Sequence, residues 1–146
     1  MLVRLSTAIA ALYMLSGAGV AQAAAKPTDP QIAHIADMVR DHTAVNDKAL
    51  ALVKKLNVTP EDNDTSRALT KQAAEKRAEL AKLDGAEFDK AYIANEVAYH
   101  KTVNGALETT LIPSASNPEL KSLLQTGLKI FQGHEQHAEK VAAELK

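Results

Sequence analysis

The chain has 146 residues, 46% of them apolar and 24% charged, with a formal net charge of −1, which is the length of one domain. Near-balance of 17 basic against 18 acidic residues argues against nucleic acid or an anionic membrane surface as the main partner. Cysteine is missing, which excludes a disulfide framework, a thiol nucleophile and a zinc–thiolate or iron–sulfur site. The few aromatics (Tyr13, Tyr92, Tyr99, Phe88 and Phe131) offer no platform for stacked bases.

Residues Leu5 to Val20 are apolar or small apart from Ser6, Thr7 and Ser16, with Arg4 before them and Ala21-Gln22-Ala23 after them. A basic start, a short apolar run and a small-x-small site form a secretory signal peptide. The run is short for a membrane span, which needs about 20 residues. Cleavage near Ala23 divides the chain into a signal peptide, 1–23, and a mature domain, 24–146, with a periplasmic or secreted destination and no stable membrane insertion.

Proline and glycine punctuate the mature chain. Asp29-Pro30, Thr59-Pro60 and Asn117-Pro118 each set an N-capping side chain before a proline at the first helical position. Glu61, Asp62 and Glu119 follow in the first turns, at the positive end of the helix dipole. Asp84-Gly85 is a stop, with Gly85 suited to the left-handed conformation just past a helix end, and Pro113 to Pro118 reads as a loop. The chain is therefore all-α, with helices expected near 30–57, 60–83, 86–111 and 118–145. Their similar lengths and short links favour an up-down antiparallel four-helix bundle.

Apolar residues at spacings of three and four mark the core faces. The first helix offers Ile35, Val39, His42, Asn46, Ala49 and Val53; the third offers Phe88, Tyr92, Glu96, His100, Val103 and Leu107. The fourth offers Leu120, Leu123, Leu124, Gly127, Phe131, His134, Ala138, Val141 and Leu145, with His137 at its edge. The second helix has a sparse face, Leu69, Ala73, Leu80 and Leu83 around Lys76. Three helices thus place a polar, metal-competent group on an apolar face. A buried ionised carboxylate needs a partner, and for Glu96 the candidates are His42, His100 and His134. Two arrangements satisfy that need. One is a closed hydrogen-bond network with a histidinium–glutamate pair. The other is a divalent metal such as Zn, Cu, Ni or Fe, held by two or three imidazoles and a carboxylate.

Four stretches carry a family resemblance. They are Met38-Val39-Arg40-Asp41-His42-Thr43-Ala44-Val45-Asn46, Gly85-Ala86-Glu87-Phe88-Asp89-Lys90-Ala91-Tyr92, Glu96-Val97-Ala98-Tyr99-His100, and His134 with Ala138. Together they resemble the exported bacterial family called domain of unknown function 4142, over nearly all of the mature chain. The resemblance implies a ferritin-like helical bundle with no established biochemical role. It also implies recurrent polar positions at Asp41, His42, Asn46, Asp89, Tyr92, Glu96, His100 and His134. Family members commonly carry one more helix before the Met-Val-x-Asp-His segment, whereas here Thr28 to Asp37 runs almost directly into it. Asn95 stands where some relatives have a further His.

Carboxylate di-iron bundles use Glu-x-x-His on two helices, a spacing this chain lacks, since Glu96 and His100 are four apart. His134-Glu135-Gln136-His137 misses the His-Glu-x-x-His protease motif, because Ala138 holds the second His position. With no nucleophile–base spacing or phosphate loop either, the reading is a non-enzymatic exported bundle. Its candidate metal ligands are His42, Glu96, His100 and His134, with Asn46, Asp41, Asp89 and Tyr92 as a structural polar cluster. The alternative is a structural or stress-related interaction protein in which the cluster only fixes helix packing. The thin second helix leads us to expect an uncovered apolar strip, and with it a homodimer.

Overall fold

The computed structural model describes residues 29–60 and 62–145, with side chains described from Ala36 onward except Thr65. The expected signal peptide, residues 1–23, lies outside the described residues, as do the side chains of Ile35 and of the Asp29-Pro30 start. Among the described residues the chain is helical throughout. Helix α1 spans Asp29–Lys55, α2 Asp64–Leu80, α3 Gly85–Ala106, the short α4 Ile112–Ser114, and α5 Pro118–Glu144. None of them is long and apolar enough to cross a membrane.

The helix ends follow local chemistry, not always at the expected residue. Helix α1 closes in a Schellman turn: Val58 N–H donates to the Val53 carbonyl and Asn57 N–H to that of Lys54, both at 3.2 Å. Asn57 takes the left-handed conformation this requires, at φ 49°. Thr59-Pro60 does not start α2. Asn63 does, through a capping box in which its side chain accepts from Ser66 N–H while the Ser66 hydroxyl accepts from Asn63 N–H, each at 2.9 Å. A reciprocal pair of bonds satisfies two backbone donors, one more than a single N-cap side chain can. Gly85 adopts φ 54°, but at the opening of α3; α2 has already ended at Leu80, with Ala81 as its cap. Asn117 caps α5 as expected, accepting from Leu120 N–H at 2.9 Å.

Pro113 does not open a loop. After α3 the backbone widens into a π-helical turn, Leu107–Leu111, and helix resumes through Ser114. A proline lacks the N–H the preceding turn would use and crowds the carbonyl four residues back. A wider turn makes room for it, and Ile112 N–H donates to the Leu107 carbonyl across it.

Side-chain pairs fix the directions. Along α3 and α5, Lys101 meets Glu139 at 2.6 Å and Glu108 meets Gln132 at 2.7 Å, so these two helices are antiparallel. Along α1 and α5, Lys55 meets Glu119 at 2.7 Å and Asp41 meets His134 at 3.3 Å, so these are antiparallel too. Helices α1 and α3 therefore run parallel, each against α5. One apolar cluster joins Val45, Val103, Leu107, Leu111, Leu124 and Phe131; a second joins Leu80, Phe88, Tyr92, Ile93 and Val141.

The α3 face is buried as expected at all six positions from Phe88 to Leu107, and Ile93 and Asn104 join it. The α1 face is rotated. Of the expected positions His42, Asn46 and Ala49 are buried, joined by Met38, Val45 and Leu52, while Val39 and Val53 are half-exposed. Helix α2 is as thin as its sequence: of its described side chains only Ser66 and Leu80 are buried. The uncovered strip is not seen among the described residues, where Leu50, 42% exposed, is the large apolar side chain left to solvent.

Candidate functional site

The site lies where α1, α3 and α5 face one another. His42 from α1 and His100 from α3 are wholly buried, and His134 from α5 is 7% exposed. Their ring centres form a nearly equilateral triangle, with sides of 5.9 Å (His42–His100), 5.4 Å (His42–His134) and 6.0 Å (His100–His134). Phe131, one turn before His134 on α5, closes the triangle from below. Its ring stacks on that of His42 at 4.5 Å and 4°. Gly127, one turn earlier still, leaves room for Phe131 and for Val45 of α1; a methyl group added there would stand 3.5 Å and 3.7 Å from them.

Two carboxylates flank the triangle. Glu96 lies one turn before His100 on α3, and its Oε2 is 3.7 Å from His100 Nδ1. That nitrogen is already engaged, donating to the Glu96 backbone carbonyl at 2.8 Å. The tautomer is thereby fixed with the proton on Nδ1, so Nε2, on the far side of the ring, is left as a lone-pair donor. Asp41, on α1, is partly exposed. Its Oδ1 accepts from Arg40 Nε at 2.8 Å and its Oδ2 lies 3.3 Å from His134 Nε2. Arg40 also reaches Asp37 at 2.7 Å, so a short charged chain leads from the surface to His134.

Burial disfavours charge throughout the interior. Burial, reinforced by the neighbouring imidazoles, pushes His42 down to about 3. Burial also lowers His100 and His134, against the opposing pull of the Glu96 carbonyl on the first and Asp41 on the second. Desolvation lifts the Glu96 carboxyl to about 7 and, with Glu96 nearby, raises the phenols of Tyr92 and Tyr99, the latter to about 12. Burial therefore weighs against the histidinium–glutamate pair considered from the sequence. Solvent exclusion penalises both charges, and the 3.7 Å separation with His100 Nδ1 already bonded elsewhere gives too little attraction to restore them.

Many polar atoms here lack a hydrogen-bond partner. Both ring nitrogens of His42, Nε2 of His100, Oε2 of Glu96, Oδ1 of Asn46, the Tyr99 hydroxyl and Oδ1 of Asn104 are buried without one. Native cores leave few such groups, and each asks for an explanation. No group of three or more His, Asp or Glu side chains among the described residues is already arranged to hold a metal ion. The imidazoles are gathered, but their nitrogens do not converge.

The sequence-expected residues divide accordingly. His42, His100, His134, Glu96 and Asp41 meet in one place, and Asn46 sits one turn below His42. Tyr92 belongs instead to the apolar cluster on the other side of the site, stacked on Phe88 at 5.8 Å. Asp89 is half-exposed, three turns before His100. His137 is exposed, as its edge position implied. Two participants were not foreseen as site residues. Phe131 was read only as core, and Asn104, which donates to Glu135 at 2.6 Å, continues the Glu96–His100 spacing by one more turn. That repeated step of four was the signal that could have found it.

The profile of the family described as domain of unknown function (DUF4142) matches residues 12–141. The chain belongs to that family. No curated protein and no solved structure matches it.

Proposed function

We propose that this member of a family of unknown function is an exported, non-enzymatic helical bundle that binds a transition-metal ion through His42, His100 and His134. The observation that carries the reading is His42. It is wholly buried with neither ring nitrogen partnered, although one of them must bear a proton when the ring is neutral. A cluster kept only for packing would satisfy such a group or replace it with an apolar one. Neutral imidazole is instead the form that ligates metals, and burial holds all three rings in that form at neutral pH. The three ring centres stand 5.4–6.0 Å apart.

The packing-only reading draws on the flat stack of His42 on Phe131 and on the unconverged nitrogens. Elemental analysis of protein purified from its native host separates the two. About one equivalent of a transition metal, lost on His42→Phe, is expected; metal-free protein whose melting temperature ignores added metal would refute the metal reading. Export rests on the Arg4, apolar-run and Ala21-Gln22-Ala23 pattern. Its test is the intact mass of the native protein, expected to begin near Ala24; retention of residues 1–23 would remove it.

A further inference from the structure

The arrangement of donors around the triangle is selective in itself. If a metal lies about 2.0–2.1 Å from each imidazole nitrogen, it lies about 3.2 Å from each ring centre. Three such rings spread evenly in a plane would then have centres about 5.5 Å apart. The observed sides are 5.4, 5.9 and 6.0 Å, so the backbone already sets the spacing of a trigonal site and only ring rotation and a slight contraction are left.

Neither carboxylate belongs in that plane. Glu96 Oε2 lies on the Nδ1 side of His100, whose Nδ1 is committed to a backbone carbonyl. The donor left to His100 is Nε2, on the opposite edge of the ring. Asp41 lies beyond Nε2 of His134, bound to Arg40, on the solvent side. Phe131, 1% exposed, covers one face with carbon. The inner set is three buried imidazoles.

Zinc is almost always four-coordinate, and with three protein ligands it takes its fourth from water in an open site. Divalent nickel and iron favour more ligands still. The cost of burying an ion also grows with the square of its charge, so a divalent ion without an anionic ligand costs about four times as much as a monovalent one. Cuprous ion carries one charge, has a filled d shell with no demand for a fourth ligand, and suits imidazole. Building on the metal-binding reading above, we propose that the ion is Cu(I), held three-coordinate by His42, His100 and His134 with Glu96 outside the coordination sphere.

The experiment is an anaerobic titration of the purified chain with Cu(I) in competition with bathocuproine disulfonate, run beside a Zn(II) titration. Expected is one Cu(I) per chain, a loss of at least 100-fold in affinity for His42→Phe, and a change within threefold for Glu96→Gln. The His42→Phe change keeps a flat ring against Phe131; X-ray absorption of the Cu(I)-loaded unaltered chain gives a readout independent of any variant. It should show three nitrogen neighbours at about 2.0 Å and no oxygen. Zn(II) held as tightly as Cu(I), or a loss above tenfold for Glu96→Gln, would overturn the Cu(I) proposal and leave metal binding at this site standing. Failure to bind either ion, or Cu(I) affinity unchanged by His42→Phe in folded protein, would overturn both.

Discussion

The imidazole of His42 lies flat on the ring of Phe131, centre to centre 4.5 Å and 4° from parallel. This contact joins α1 to α5 at the level where three histidines meet, and it buries a polar ring against a wholly apolar one. Phe131 also belongs to the apolar cluster around Val45, Val103 and Leu124, so it couples the site to the packing beneath it. Phe131→Ala should cost about 3–5 kcal/mol, and Phe131→Leu less than half of that, both read from denaturant midpoints. A cost under about 1 kcal/mol for the alanine variant would mean that the stack contributes nothing to the core.

Acid should unfold the protein through its histidines. Between about 3 and 6.5, the folded and ordinary values for His42, the unfolded chain binds a proton that the folded chain refuses. Stability therefore falls as pH drops through that window, by up to about 1.4 kcal/mol per pH unit for this one group. His100 and His134 move in the same direction and steepen the fall.

Glu96 has the opposite sign. Its folded value near 7, against 4.5, means that the folded chain keeps a proton the unfolded one has released, so stability declines as pH rises through that interval. The two opposing slopes place the maximum near pH 6–7. Glu96→Gln removes the alkaline decline and should gain about 2–3 kcal/mol on the parent chain between pH 5 and pH 8. Denaturant titrations of both proteins at those two pH values check this, and parallel behaviour would show that Glu96 is not held neutral by the fold.

His100→Ala should destabilise far more than His137→Ala. The first empties a wholly buried site and removes the bond that His100 Nδ1 donates to the Glu96 carbonyl, at a cost of about 2–4 kcal/mol. The second acts at an exposed position, where changes stay within about 0.5 kcal/mol. Equal losses would contradict the burial of His100.

Asn57 gives a test far from the site. Its left-handed backbone, φ 49°, suits asparagine or glycine and strains alanine. Asn57→Ala should cost about 1 kcal/mol and Asn57→Gly close to nothing. Equal melting temperatures for the two variants would remove the Schellman turn as a contributor to stability.

How far the sequence could be read depended on the kind of signal. The α3 and α5 faces were legible because long side chains recur there at steps of three and four, from Phe88 to Leu107 and from Leu124 to Val141. The α1 face was read one step off. Its buried line through Met38, Val45 and Leu52 competes with an equally apolar line through Val39 and Val53, and only the positions of α3 and α5 decide between them. The capping of α2 was misread because Pro60 is a stronger textual mark than Asn63, although the Asn63–Ser66 pair makes the better bonds. The polar site was legible as residues on three faces. Its protonation was not, because neutral imidazole and histidinium have the same sequence, and burial alone distinguishes them.

The parallel course of α1 and α3 has a consequence for α2. His42 and His100 stand at one level, yet Lys55 lies about 20 Å past the first and Gly85 about 22 Å before the second, at 1.5 Å per residue. The chain must travel some 40 Å back along the outside of the molecule before it can descend again. Helix α2 is that return journey, a strut whose reach matters more than its face. Its composition can therefore stay polar up to Leu80, which packs into the core beside Phe88. About 12 residues of extended chain, at 3.3–3.6 Å each, would cover the same distance. The histidine level is set by the two ends of this crossover, and its interior is open to replacement by any tether long enough to deliver α3 in register.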